Sequence, residues 1–285
     1  MFPPVATNDP KAVETAVRVA YEEVFPNGDH RSVARAFDLV LPCFAGKYSP
    51  YQAVDTQYHD LEHTMQGTLC MARLLRGRHR AATKPAIPEH LFQLGILGIL
   101  FHDTGYLKHR DDPVGTGAKY TITHVGRSAD FAAELLAERN YTASDIKAVQ
   151  NMIRCTGLDN TLSSIPFQSE AEKITGFALG TADLLGQMAA DDYPDKLPTL
   201  YAEFAEAAQF TKDKNHFVAQ FKSAEQLAKG TPAFWEKFVL PKLERDFGGV
   251  YRFLNDPYPD GPNEYVKRIE ANMEKLRQGA GQMAV

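Results

Sequence analysis

Glu89-His90-Leu91-Phe92-Gln93-Leu94-Gly95-Ile96-Leu97-Gly98-Ile99-Leu100-Phe101-His102-Asp103 is apolar nearly all round and ends in an adjacent His-Asp pair. A helix without a polar face has to be enclosed by other helices, so this stretch predicts a central helix that delivers His102 and Asp103 into the interior. It is far too short for a bilayer span, which needs about 20 apolar residues. Upstream, Tyr58-His59-Asp60-Leu61-Glu62-His63-Thr64 sets two histidines at i and i+4. That spacing puts both on one face of a helix opening near Tyr58. Neutral imidazoles with a carboxylate suit a borderline divalent cation that acidifies a water and keeps positions open for substrate, which points to a hydrolase.

Outward from this centre, apolar residues recur at spacings of three and four, and strand-like alternation is hard to find, so the chain reads as all-α. Helices are predicted from Asp9-Pro10 to about Phe25, with Asp9 as N-cap, and from Arg31 to Leu41, ended by Pro42. The helix from Tyr58 buries Leu61, Met65, Leu69 and Ala72 and fades in the basic, solvated run Arg76-Gly77-Arg78-His79-Arg80. Thr104 to Thr123 has no period and forms a long loop beside the site. Further helices cover His124 to Arg139, Ala143 to Cys155 behind a Thr142/Asp145 capping pair, and Glu170 to Ala190. Thr231-Pro232 opens another, while Asp191 to Pro198 and Asn255 to Pro262 read as loops. The expected architecture is one helical domain over 1–285, with a core at about 54–190, a C-terminal helical cap at about 191–277 and a loose tail at 278–285.

A chain of 285 residues with 44% hydrophobic residues can bury a large core. Its formal net charge of -5, with both signs mixed along the length, gives no footprint for duplex nucleic acid or an anionic membrane. Cys43, Cys70 and Cys155 form no Cys-x-x-Cys pair and are odd in number, which fits a reducing, cytoplasmic setting. The first residues show no export signal.

Glycines add a second line. Gly67 follows His63 by four residues, Gly95 and Gly98 precede His102, and Gly176 and Gly180 precede Asp183 on the same helix faces. Each glycine inside a helix is destabilising by about 0.5 to 1 kcal/mol relative to alanine, so close approach around a shared centre is expected in compensation. Asp183 lies inside the apolar run Thr175 to Met188, where an unpaired carboxylate is expensive and a bound cation would relieve it.

With His63, His102-Asp103 and Asp183 in this order, about Val54 to Met188 resembles the HD superfamily of metal-dependent phosphohydrolases. The opening Tyr58-His59-x-x-x-His63 and Phe101-His102-Asp103-x-Gly105-Tyr106 look like the branch of bacterial phosphohydrolases, and more distantly cyclic-nucleotide phosphodiesterases, where Asn usually stands in the place of Asp60. The resemblance implies an HD-like helical bundle in which His63, His102, Asp103 and Asp183 hold a divalent metal ion, His59 protonates the leaving oxygen, and a water activated at the cation attacks phosphorus. His124 matches the further histidine of dinuclear members and is a candidate to orient that water or touch phosphate. The histidine those members carry on the helix ending Asn151 to Thr156 is absent, which argues against a second metal. Fe, Mn, Mg, Zn and Ni all remain open for one site.

Lys108, Lys119 and Arg127 are candidate contacts for an anionic substrate. Tyr193, Tyr201, Phe204, Phe210, Phe217, Phe221 and Trp235 are candidates either for a wall against a flat substrate or for core. The leading expectation is hydrolysis of a phosphoester of a small molecule, a nucleotide or cyclic nucleotide among the candidates; a di-iron oxygenase on an HD fold and a non-catalytic nucleotide or metal sensor are the alternatives. Oligomeric state is left open.

Overall fold

The protein's structure, a computed structural model, describes residues 4–157, 162–213 and 216–282. Among these residues it has ten α-helices and no strand: α1 Pro10–Val24, α2 Ser32–Phe44, α3 Leu61–Arg80, α4 Glu89–Phe101, α5 His124–Glu138, α6 Ala143–Ile153, α7 Glu170–Met188, α8 Tyr193–Phe210, α9 Ala224–Phe234 and α10 Glu264–Gln282. The chain is all-α, as its periodicity predicts. No helix of the described residues is long and apolar enough to cross a membrane.

α4 is the axis of the bundle. Phe92 and every residue from Leu94 to Phe101 are buried, because α2, α3, α5, α6 and α7 surround it. α3 and α7 lie along each other, and α1 covers α3. Capping residues set several starts: Asp9 accepts from Lys11 N, Thr142 from Asp145 N and Ser169 from Glu172 N. α10 rests on α7, α8 and α9, and Asn272 donates to Met188 O and Ala190 O at the end of α7.

Several boundaries differ from the sequence reading. Pro42 lies inside α2, which continues to Phe44. The basic run stays helical to Arg80, and Arg78 is buried with its guanidinium over the Phe253 ring. Asp191 to Pro198 is not a loop: Pro194 sits in the first turn of α8, where a missing N–H does no harm, and Pro198 lies one turn on. Thr231-Pro232 falls inside α9 rather than opening a helix. Two π-helical stretches, Trp235–Val239 and Lys242–Asp246, follow on either side of Pro241. α10 carries the backbone through Gln282, so the expected tail from 278 is helical as far as the structure describes it, and 283–285 lie outside the described residues.

The glycines mark crossings between the ligand-bearing helices themselves. A Cβ on Gly95 would meet Met71 of α3 and Thr175 of α7 at 2.7 Å, and one on Gly98 would meet Leu179 of α7 at 2.8 Å. Gly186, not singled out in the sequence, faces backbone rather than side chains, with atoms of Gln66 and Gly67 at 2.8 Å. Gly176 and Gly180 instead face Cys155 and the rings of Phe167 and Phe247.

Candidate metal centre

Asp60 is the N-cap of α3, its carboxylate accepting from His63 N at 2.9 Å. His59 therefore precedes the helix, and the expected shared helical face of His59 and His63 does not exist; a capping turn brings their rings to 5.4 Å between centroids instead. His63 points inward from the first turn of α3. His102 is the residue after α4, and its Nδ1–H donates to Ile99 O at 2.7 Å, which leaves Nε2 as a bare lone pair. Asp103 follows it, and Asp183 enters from α7.

These groups converge. His63 Nε2 lies 3.3 Å from His102 Nε2, 3.1 Å from Asp103 Oδ2 and 3.3 Å from Asp183 Oδ1. His102 Nε2 lies 3.3 Å from Asp103 Oδ2 and 3.4 Å from Asp183 Oδ1. Donors that share one cation at about 2.1 Å stand about 3.0 to 3.4 Å apart, so the spacing fits a common ion. Asp103 Oδ2 is buried without a hydrogen-bond partner, a costly arrangement that a cation relieves. His63, His102 and Asp103 thus form a buried group able to hold a metal ion.

The local field is strongly anionic. Burial presses the His63 pKa down, yet the carboxylates of Asp103 and Asp183 outweigh it and lift it to about 10. Burial would raise both aspartates, but the two imidazoles hold Asp103 and Asp183 well below the usual carboxylate range.

His124 opens α5, 3.8 Å by Nε2 from Asp103 Oδ1. Its Nδ1–H donates to Thr121 O at 2.6 Å, and burial lowers its pKa against the opposing pull of Asp103, so it stands as a neutral acceptor at neutral pH. His59 Nδ1 is 2.6 Å from Glu203 Oε2, while Glu203 Oε1 accepts from the backbone N–H groups of Gln57 and Tyr58 at 2.8 and 2.7 Å. The Tyr106 ring stacks on the imidazoles of both His59 (4.6 Å) and His124 (4.7 Å), whose own centroids are 6.3 Å apart. Glu203 and Tyr106 were not among the sequence candidates. Glu203 lies on a helix whose prolines disguise it, and an acid 144 positions from its partner leaves no local spacing to read.

The three candidate substrate cations lie elsewhere. Lys108 Nζ donates to Gly115 O and pairs with Asp55 at 3.1 Å. Lys119 Nζ pairs with Asp112 at 2.5 Å, and Arg127 donates to Gly105 O and Leu107 O with its guanidinium 3.6 Å over the Tyr120 ring. All three brace the 104–123 segment and none lines the cavity of about 570 Å³ above the centre. His59, His63, Asp103, His124 and Asp183 do line it, with Tyr193, Phe204, Phe217 and Phe221 from the aromatic candidates. Of the others, Tyr201 donates to Lys222 O, Phe210 is exposed and Trp235 is core. His216, given no role in the sequence, is also on the wall.

Residues 110–250, just under half of the chain, match the sequence model of a family described as Npun_R2479-like. The matched stretch contains His124, Asp183 and Glu203 but not His59, His63 or the His102-Asp103 pair. No curated protein matches the chain.

Proposed function

We propose that this chain is a metal-dependent phosphohydrolase of the HD type, cleaving a phosphoester of a small molecule. One observation carries the reading: four donors from the start of α3, the end of α4 and the middle of α7 stand 3.1 to 3.4 Å from one another's imidazole nitrogens beneath a cavity. His63, His102, Asp103 and Asp183 would hold the divalent cation, one of Fe, Mn, Mg, Zn or Ni. When bound, such an ion supplies Lewis acidity, easing deprotonation of a water and neutralising charge on a phosphoryl oxygen.

The chain's own groups supply the rest. His59 presents Nε2 to the cavity while Glu203, fixed by two backbone amides, holds Nδ1–H and orients the ring. It donates a proton to the leaving oxygen as the P–O bond to the alcohol breaks and the bond from water to phosphorus forms. His124, neutral and with Nε2 unprotonated, accepts a hydrogen bond from the attacking water. Tyr106 packs against both imidazoles.

The His59–Glu203 pair favours catalysis over a sensor, since binding an ion or ligand needs no oriented proton donor. A di-iron oxygenase needs a second cation, for which Asp103 Oδ1 and His124 offer only two protein donors; Asn151, on the helix where a further histidine would stand, is turned to Pro166 O and Glu172 instead. The test is turnover by Mn²⁺-loaded protein against a panel of phosphomonoesters, phosphodiesters and nucleotides. Hydrolysis that chelation abolishes and Mn²⁺ restores is expected; no turnover of any member overturns the proposal.

A further inference from the structure

On the reading that the centre hydrolyses a phosphoester, we propose that its substrate is the phosphate ester of an apolar alcohol, with a hydrocarbon body in the cavity, rather than a nucleotide. The walls away from the centre are supplied by Leu197, Leu200 and Phe204 of α8, Phe221, and Leu227 and Phe234 of α9. Apolar lining is common in ligand sites; what distinguishes substrates is the few polar groups that remain to read them.

Here several of those groups are committed within the chain. Thr121 donates to Ala118 O, Thr156 to Ile153 O and Thr231 to Leu227 O, each bonding its own backbone. Gln187 gives its amide hydrogens to Asp183 and its oxygen to the Tyr58 hydroxyl. A nucleobase and ribose placed against these walls would leave several donors and acceptors unpaired, which a site rejects strongly. A hydrocarbon brings no donor or acceptor of its own to satisfy.

Charge agrees. Lys108, Lys119 and Arg127 are bound into the 104–123 segment, and Arg154 is the one lysine or arginine on the described wall. A single phosphoryl group at the cation needs no further clamp, whereas a di- or triphosphate tail does. The apolar body lies toward α8 and α9, and hydrolysis releases the alcohol and inorganic phosphate, the alcohol oxygen taking its proton from His59.

The test is the chain-length dependence of Mn²⁺-loaded protein on n-butyl, n-hexyl and n-octyl phosphate, with AMP as comparison, and calorimetric binding of the matching n-alkylphosphonates. A rise in kcat/KM of about fourfold per methylene, the equivalent of 0.8 kcal/mol per buried CH₂, with octyl phosphate ahead of AMP, is expected. Phe221→Asp should flatten that slope, and Leu200→Gln serves if the first variant does not fold. Hydrolysis that is indifferent to chain length, or fastest on AMP, overturns the inference and leaves the phosphohydrolase standing. Tighter phosphonate binding with each methylene but no hydrolysis of any phosphate overturns the phosphohydrolase and supports the apolar body. Neither turnover nor chain-length-dependent binding overturns both.

Discussion

At the scale of single residues, the Glu203 carboxylate decides what His59 can do. Burial raises its pKa, but the charge of His59 and three hydrogen bonds, from His59 and the Tyr58 and Gln57 amides, outweigh that and leave it below the usual 4.5. Its contribution to stability is therefore complete above pH 4.5 and is lost as pH falls through the lowered value. Glu203→Gln replaces the carboxylate that fixes the His59 ring, so kcat should fall while elemental analysis still finds the metal; an unchanged kcat would place Glu203 in a purely structural role. His59→Asn should cut kcat by about 10² to 10⁴ while elemental analysis still finds the metal. Loss of the metal would instead make His59 a ligand. The convergence of His63, His102, Asp103 and Asp183 was readable in the sequence because buried ionisable groups in apolar helices need a shared partner. Glu203 was not, since its partner is brought to it only by the tertiary fold.

At the scale of elements, the centre depends on how closely helix ends approach one another. A Cβ on Gly105 would meet His124 O at 2.0 Å and Ser128 N at 2.8 Å, both backbone atoms of the first turn of α5. Gly105→Ala must push that turn away, so urea unfolding should show a loss of about 1 to 3 kcal/mol, with His124 displaced from Asp103. An alanine variant of unchanged stability would mean α5 is not seated there. Helices with a strong apolar stripe and a capping residue, such as α1 behind Asp9 and α6 behind Thr142, are legible from pattern alone. α8 is not, because Pro194 and Pro198 mimic a loop signal while actually occupying its first turns. The same ambiguity hid α9, whose Pro232 looks like a start and lies near the end.

At the scale of the whole molecule, the central helix and the all-α class follow from one run of apolar sequence, whereas the cavity is assembled from α7, α8, α9 and the segment between the last two, which no local pattern joins. On the proposed function, the anionic cluster at its base makes stability respond to a cation. Chelation with EDTA should lower the melting temperature, and Mn²⁺ at about 100 times its Kd should restore roughly 5 to 10 °C. A melting temperature indifferent to both would remove the metal centre. The order of the donors along the chain has a consequence for synthesis. His63, His102, Asp103 and Asp183 all leave the ribosome before Glu203. On the proposed function, a nascent chain can thus capture its ion before the helix that orients His59 exists, and the chemistry waits until the last third has emerged and closed the chamber.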